Sequence, residues 1–441
     1  MIRALYSLLL WLAQPFLQRK LARRGIAEPG YLLARGERLG HYSQPAQSGA
    51  VWIHAVSLGE TRAAGVLMAH LRMARPGLRF LLTHGTATGR AEGAGLLQPG
   101  DVQVWQPWDT QGATARFLQH FQPCVGLLME TEVWPNLCAA AQQRGLPVLL
   151  ANGRLSEQSL AKAQRLAWLA RPAYASLAAI YAQTAADAAR FAALGGVVKG
   201  VLGNLKFDAT PDAAQLQTGR AWAAQWQQAG GKPVLLLASS REGEEKLLIE
   251  QIKALAGQPD AGDASESIAS AEHQQLAVQW LVVPRHPQRF DEVAGLLEGG
   301  GLRVSRRSQW GDGPPADGSA SVWLGDSLGE MALYYGLAQA ALLGGSFAPL
   351  GGQNLIEAAA CGCPLIMGPH TFNFELAAQE ALAAGAAQRS ATLAQGVAAA
   401  QALLRDEAMR ARMAASAGAF AAAHRGAAEK TAAAVLAFLP Q

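Results

Sequence analysis

Beyond residue 50 the apolar positions gather into short runs, each closed by turn residues and followed by a longer stretch with helical spacing. Ala50–His54, Leu78–Thr83, Val125–Met129, Pro147–Ala151 and Ala179–Gln183 predict strands. Helices are predicted near Glu60–Arg75, Thr110–Phe121, Asn136–Arg144 and Ala185–Leu194. The pattern loosens over Gly203–Pro211 and then restarts. Val234–Ala238, Leu281–Val283, Val322–Leu324, Ala340–Leu343 and Leu365–Met367 predict further strands, with a helix over Glu244–Ala256. Repeated strand-turn-helix units predict an α/β fold, with parallel sheets covered by helices on both faces. The expectation is two Rossmann-like doubly wound domains joined near residue 210 and facing a central cleft, where ligands usually sit. The expected division is 1–24 as a separate N-terminal helix, 25–210 as the first domain and 211–441 as the second. Gln258–Gln275 reads as a polar, solvated insertion and Gly311–Ser321 as a second loop. The Ala-rich tail from Ala391 reads as helical, and the pattern does not fix which domain its last helix joins.

The N-terminal stretch Ala4–Leu17, ALYSLLLWLAQPFL, is apolar and interrupted by Pro15. It falls short of the ~20 residues of a comfortable membrane span. Arg3 precedes it, and Arg19, Lys20, Arg23 and Arg24 follow. Cations after the apolar stretch, and no small-x-small cleavage site, argue against a signal peptide. The pattern fits an interfacial anchor, with apolar side chains at the acyl boundary and cations on the headgroups of the cytoplasmic face. A short span and a core-packed helix are the alternatives.

Composition narrows the class. Half of the 441 residues are hydrophobic and 16% are charged, which excludes wholesale disorder. A net charge of +4 is too small to argue for nucleic acid. Cys124, Cys138, Cys361 and Cys363 do not form a disulfide framework, and a reducing compartment fits. H-E-x-x-H, C-x-x-C, G-x-S-x-G and a D-x-D triplet at a strand end are absent. Cys361 and Cys363 read as buried apolar filling.

The candidate chemistry sits where predicted strands end. Glu60 follows the strand of WIHAVSLGE and opens a helix, as helix-terminal charge or as a general base. Glu130 and Glu132 follow the strand of LLMETEVWPNL; alternation along an extended segment would put them on one side. There they could cap and be solvated, hold a metal, shift each other's pKa, or orient a base. Trp134-Pro135 then starts a helix. Ser327-Leu328-Gly329-Glu330 echoes Ser57-Leu58-Gly59-Glu60 after another strand. Lys206 in GNLKFD lies at the domain junction, solvated or meeting an anion in the cleft. Arg285, after Pro284 in VVPRHPQRF, is held at a strand end and suits phosphate or carboxylate, the alternative being an exposed, salt-bridged loop. In LLGGSFAPLGGQNLIEAAACGCP, Gly344-Gly345 and Gly351-Gly352 bracket a turn, and a helix opens at Asn354. Glycines allow close backbone approach, the helix start offers N–H groups to phosphate, and Glu357 can accept ribose hydroxyls.

Several stretches together resemble one family. VSLGE (56–60), THGTATGR (83–90), METEVWPNL (129–137), ANGRLSEQS (151–159), GNLKFD (203–208), PRHPQRF (284–290) and GGQNLIEAAA…MGPHTFNFE (351–375) resemble, in order, 3-deoxy-D-manno-octulosonic acid (Kdo) transferases of lipid A assembly. These are glycosyltransferases of GT-B architecture. Arg241 stands where the pattern has His, and the 258–275 insertion is longer than the family's. The resemblance implies inverting, metal-independent transfer of Kdo from CMP-Kdo to a tetraacylated lipid A precursor at the inner membrane's cytoplasmic face. No cofactor is implied beyond that donor substrate, and no nucleic-acid partner. It implies Glu60 as general base, with Glu130 and Lys206 stabilising the transition state. It assigns CMP to Pro284, Arg285, Leu328, Gly329, Glu330, Asn354, Leu355, Ile356 and Glu357. The rival readings are a GT-B enzyme using a UDP- or GDP-sugar and a non-catalytic, membrane-bound nucleotide- or lipid-binding module.

Overall fold

The computed structural model describes residues 2–46, 48–208, 210–256, 277–314 and 319–440. The insertion expected over 258–275 lies outside them. The chain divides into two units, Met1–Ala209 with His424–Gln441, and Thr210–Ala423. The division differs from the expected one at the C-terminus, because the last helix, Ala427–Leu436, packs in the first unit. Nor does the N-terminal helix stand apart; it extends over Ile2–Ala27 and is grouped with the first unit.

The first unit carries β1 (Val51–His54), β2 (Phe80–His84), β3 (Val102–Trp105), β4 (Val125–Met129), β5 (Val148–Gly153), β6 (Ala179–Ala182) and β7 (Val198–Val201). They form one parallel sheet in the order β3-β2-β1-β4-β5-β6-β7. Alternate strand residues feed two cores. Val51, Ile53, Leu127 and Met129 pack with Ala64, Leu67, Met68 and Leu71 of the helix Leu58–Ala74, and with Ala428, Ala432 and Val435 of the last helix. Trp52, Leu81, Leu128 and Leu150 face the other way, toward Phe117, Phe121 and Phe191. Burial on both faces explains why these strands read as unbroken apolar runs. Each fully buried Leu, Val or Phe contributes roughly 1.5–3 kcal/mol.

The second unit carries β8 (Val234–Ser240), β9 (Gln279–Pro284), β10 (Val304–Arg306), β11 (Val322–Leu324), β12 (Ala340–Leu343), β13 (Leu365–Met367) and β14 (Ala387–Arg389). Their order is β10-β11-β9-β8-β12-β13-β14, again all parallel. In each sheet the strand order reverses beside the first strand, between β1 and β4 and between β8 and β12. Such a reversal leaves a crevice beyond the strand carboxyl ends, where open α/β sheets bind ligands. Cys361 and Cys363 are buried, as their apolar surroundings in the sequence predict.

Candidate active site

At the first crevice the helix Leu58–Ala74 follows β1, and its N-cap Ser57 accepts from the Glu60 N–H at 3.3 Å. The Glu60 carboxylate returns the contact. Val56 N–H donates to Oε2 and Ser57 Oγ donates to Oε1, both at 2.9 Å. This variant of a capping box fixes the side chain. Each carboxylate oxygen has two lone pairs, so capping and proton acceptance are compatible. Burial raises the Glu60 pKa, the Val56 N–H lowers it, and nearby Glu130 raises it further.

Across the crevice, β4 ends at Met129 and Glu130 turns into the left-handed region at φ 56°. The extended alternation expected to place Glu130 and Glu132 on one side is therefore absent. The turn itself aims Glu130 at Lys206, whose Nζ donates to Oε1 at 2.7 Å. Lys206 is placed by its neighbours: Asn204 Oδ1 accepts from its N–H, and Asn152 Oδ1 from that of Leu205, both at 3.0 Å. A Cβ on Gly59 would lie 3.9 Å from Lys206 Cε, so the lysine stem runs along the first turn of the Glu60 helix. Asp208 then caps the last helix, accepting from Gly426 and Ala428 N–H at 2.5 and 2.6 Å. GNLKFD thus joins the lysine to the helix that packs behind Glu60. Pro135 occupies the first turn of its helix and Trp134 its N-cap, as the sequence predicts.

Glu132 belongs to the same group, although the family resemblance assigns it no role. Burial first, and the Glu60 charge second, push its pKa up to about 7. Three carboxylates in one crevice, Glu60, Glu130 and Glu132, resist ionising together, and Lys206 offsets this only in part. A raised carboxyl pKa gives stability that is complete below the unfolded value of 4.5 and lost as pH rises through about 7. Glu132→Gln does not undergo that loss. Its Tm relative to wild type should rise by about 2–4 °C between about pH 5 and about pH 8. A pH-independent difference in thermal scans would show that Glu132 is not held protonated.

In the second unit Pro284 ends β9, and Arg285 follows with its N–H on Ser240 O and its Nε on Gln353 Oε1, both at 3.0 Å. This links the β9 end to the segment opening at Asn354. Buried Arg289, farther along the loop, grips fully buried Glu245 with both terminal nitrogens, at 2.9 and 3.2 Å. Asn354 caps a six-residue helix, Leu355–Ala360, by accepting from Ile356 N–H at 3.2 Å. Leu355 and Ile356 bury their side chains, so they offer a ligand backbone only, and Glu357 is half-buried.

Leu328, Gly329 and Glu330 lie beyond β11, the neighbour of β9, with Leu328 exposed. Glu330 accepts from Ser327 Oγ at 2.5 Å and from Arg307 Nη2 at 2.9 Å. The repeated Ser-x-x-Glu is therefore a repeated side-chain contact, but the backbones differ: Gly59 is helical, whereas Gly329 has φ 78°. One glycine of each pair is needed for packing. A Cβ on Gly344 would strike the Ser239 carbonyl, and one on Gly351 the Asn373 amide. Arg241, the departure from the family pattern, pairs with Glu242 at 2.9 Å.

A family model described as 3-deoxy-D-manno-octulosonic-acid transferase (kdotransferase) matches residues 34–209. The 3-deoxy-D-manno-octulosonic acid transferase of Bordetella pertussis is 46% identical, over 96% of this chain and 94% of that protein. That of Haemophilus influenzae is 31% identical, over 85% of this chain and 84% of its own length. Among solved structures, Anabaena Alr3699/HepE in complex with UDP-glucose aligns with 88% of this chain and 99% of its own, at TM-score 0.54 and 14% identity. That likeness is one of fold, the two-sheet GT-B architecture. With near-full-length relatives bearing one name, the chain belongs to the 3-deoxy-D-manno-octulosonic acid transferase family, glycosyltransferases of lipopolysaccharide biosynthesis.

Proposed function

We propose that the protein transfers Kdo from CMP-Kdo to a tetraacylated lipid A precursor by metal-independent, inverting displacement. The observation that carries this is the arrangement at the first crevice: a fixed, half-buried Glu60 beside a Glu130–Lys206 ion pair. Ionised Glu60 takes the proton of the acceptor hydroxyl. That oxygen bonds to the Kdo anomeric carbon as the bond from that carbon to the phosphate oxygen breaks. CMP leaves with the electron pair, and the anomeric centre inverts. Glu130 holds Lys206, whose charge offsets the negative charge moving onto the leaving group. In the second unit, Arg285 and the backbone around Asn354–Glu357 receive CMP, with Pro284, Leu328, Gly329 and Glu330 completing its site. The supporting geometry is the convergence of these segments on one edge of the sheet, beyond β9, β11 and β12. Purified protein given radiolabelled CMP-Kdo and the lipid A precursor should form labelled lipid. Turnover only with a UDP- or GDP-sugar would contradict the reading.

The acceptor's lipid chains imply work at the cytoplasmic face of the inner membrane. Among the described residues no helix is long and apolar enough to cross a membrane. The helix Ile2–Ala27 instead exposes Leu5, Leu8, Leu9, Trp11, Leu12 and Phe16, each 51–70% accessible. Tyr6 Oη donates to Asp109 at 3.0 Å, and Ser7 Oγ donates to Asn136 Oδ1 at 3.2 Å. These contacts dock one side of the helix and leave the apolar side outward, which supports an interfacial anchor. Polar replacement of Leu8, Leu9, Leu12 and Phe16 should lower binding to anionic vesicles on the order of 10²-fold. Activity in detergent should change by less than about threefold, since none of these residues touches the base. Unchanged sedimentation with vesicles would refute the anchor.

A further inference from the structure

The second crevice is already occupied by the protein. Glu244 begins the helix Glu244–Ala256 just after β8, and it is fully buried. Its Oε2 accepts from Arg241 N–H at 2.9 Å and Gly345 N–H at 2.7 Å. Its Oε1 accepts from Phe347 N–H at 3.1 Å and Ala348 N–H at 3.3 Å. Four main-chain donors on one carboxylate compensate a buried charge that would otherwise be costly. They are also the kind of donors that a glycine-rich turn beyond a parallel strand offers a phosphate. Gly345 N–H is therefore spent on Glu244.

The loop so fixed leads to the arginine. Gly345 O accepts from Gly352 N–H at 2.7 Å, and the next residue, Gln353, holds Arg285 Nε. From the β8 side, Ser240 O fixes the Arg285 backbone, while Ser240 Oγ donates to Glu245 at 2.7 Å. We propose that Glu244 is a positioning residue of the donor site, an internal anion that shapes Gly344–Ala348 and, through Gly352 and Gln353, sets Arg285 to receive the donor phosphate. The loop is a support for the cationic subsite, and the phosphate sits on Arg285. This inference rests on the reading of the second unit as the donor half.

Glu244→Gln keeps the volume but replaces one acceptor oxygen by an NH₂ that faces two N–H groups. Calorimetric titration with CMP and steady-state kinetics test the idea. The Kd for CMP and the KM for CMP-Kdo should rise at least about tenfold, equivalent to about 1.4 kcal/mol. The KM for the lipid acceptor should stay within about twofold, a split that a general loss of stability does not produce. Arg285→Ala is the control on the underlying reading. If it leaves CMP binding unchanged, the donor-site assignment fails and this inference with it. If it weakens CMP binding while folded Glu244→Gln does not, the inference alone is overturned. Should Glu244→Gln not fold, Gln353→Ala cuts the link to Arg285 and leaves the buried carboxylate paired. It must give the same donor-specific rise, and an unchanged donor KM there overturns the proposal.

Discussion

Glu60→Gln should lower kcat about 10³-fold, within the 10²–10⁴ span of general-base catalysis, while CMP binding stays within about twofold. An amide cannot take the acceptor proton at neutral pH, yet its oxygen can still accept from Val56 N–H or Ser57 Oγ. The helix start should therefore survive, which separates chemistry from folding. Glutamine also removes one of the charges that crowd this crevice, so the variant should be no less stable than wild type above about pH 7. In wild type the raised Glu60 pKa places the acid limb of kcat/KM above the ordinary carboxylate range. The limb should flatten in the variant. Wild-type turnover in Glu60→Gln would remove this residue from the mechanism.

Lys206→Met should cost about 10²–10³ in kcat, the size found when one preorganised electrostatic group is removed. It also leaves Glu130 half-buried without its cation, so stability should fall as well. The double variant Lys206→Met with Glu130→Met tells the two effects apart. Removing both charges relieves the unpaired carboxylate, so the melting temperature should recover. The rate should not, because the missing charge is the one the transition state uses. Recovery of both would make the pair structural.

The central strands were legible because they are buried on two faces, whereas the sheet edges were not. β3, β7, β10 and β14 were missed, and each lies at an edge of its sheet. In β7, Val198–Val201, none of the residues is fully buried, and β10 is only half-buried along its length, so neither leaves an apolar run to read. The site was legible where chemistry coincides with a strand end. Glu60, Glu130 and Lys206 come from separate segments, and the fold brings them to one crevice. What the sequence could not supply was the geometry beyond the strand ends. The left-handed turn at Glu130 replaces the extended alternation assumed for it. Glu132 owes its raised pKa to burial and to Glu60, which is seventy-two positions away. Glu244 reads in sequence as one more acid at a helix start, and only the approach of residues about a hundred positions later reveals its contacts. Gly344 and Gly351 also answer to packing, because a carbonyl or amide pressed against the backbone leaves the same signature in sequence as a ligand would.

The stereochemical course of a single transfer bears most directly on whether Glu60 acts as a base in one displacement. NMR of the lipid product formed from CMP-Kdo should show the new glycosidic bond with the opposite anomeric configuration to the donor. Retained configuration would require a step that a proton-accepting Glu60 does not provide, and would contradict the account.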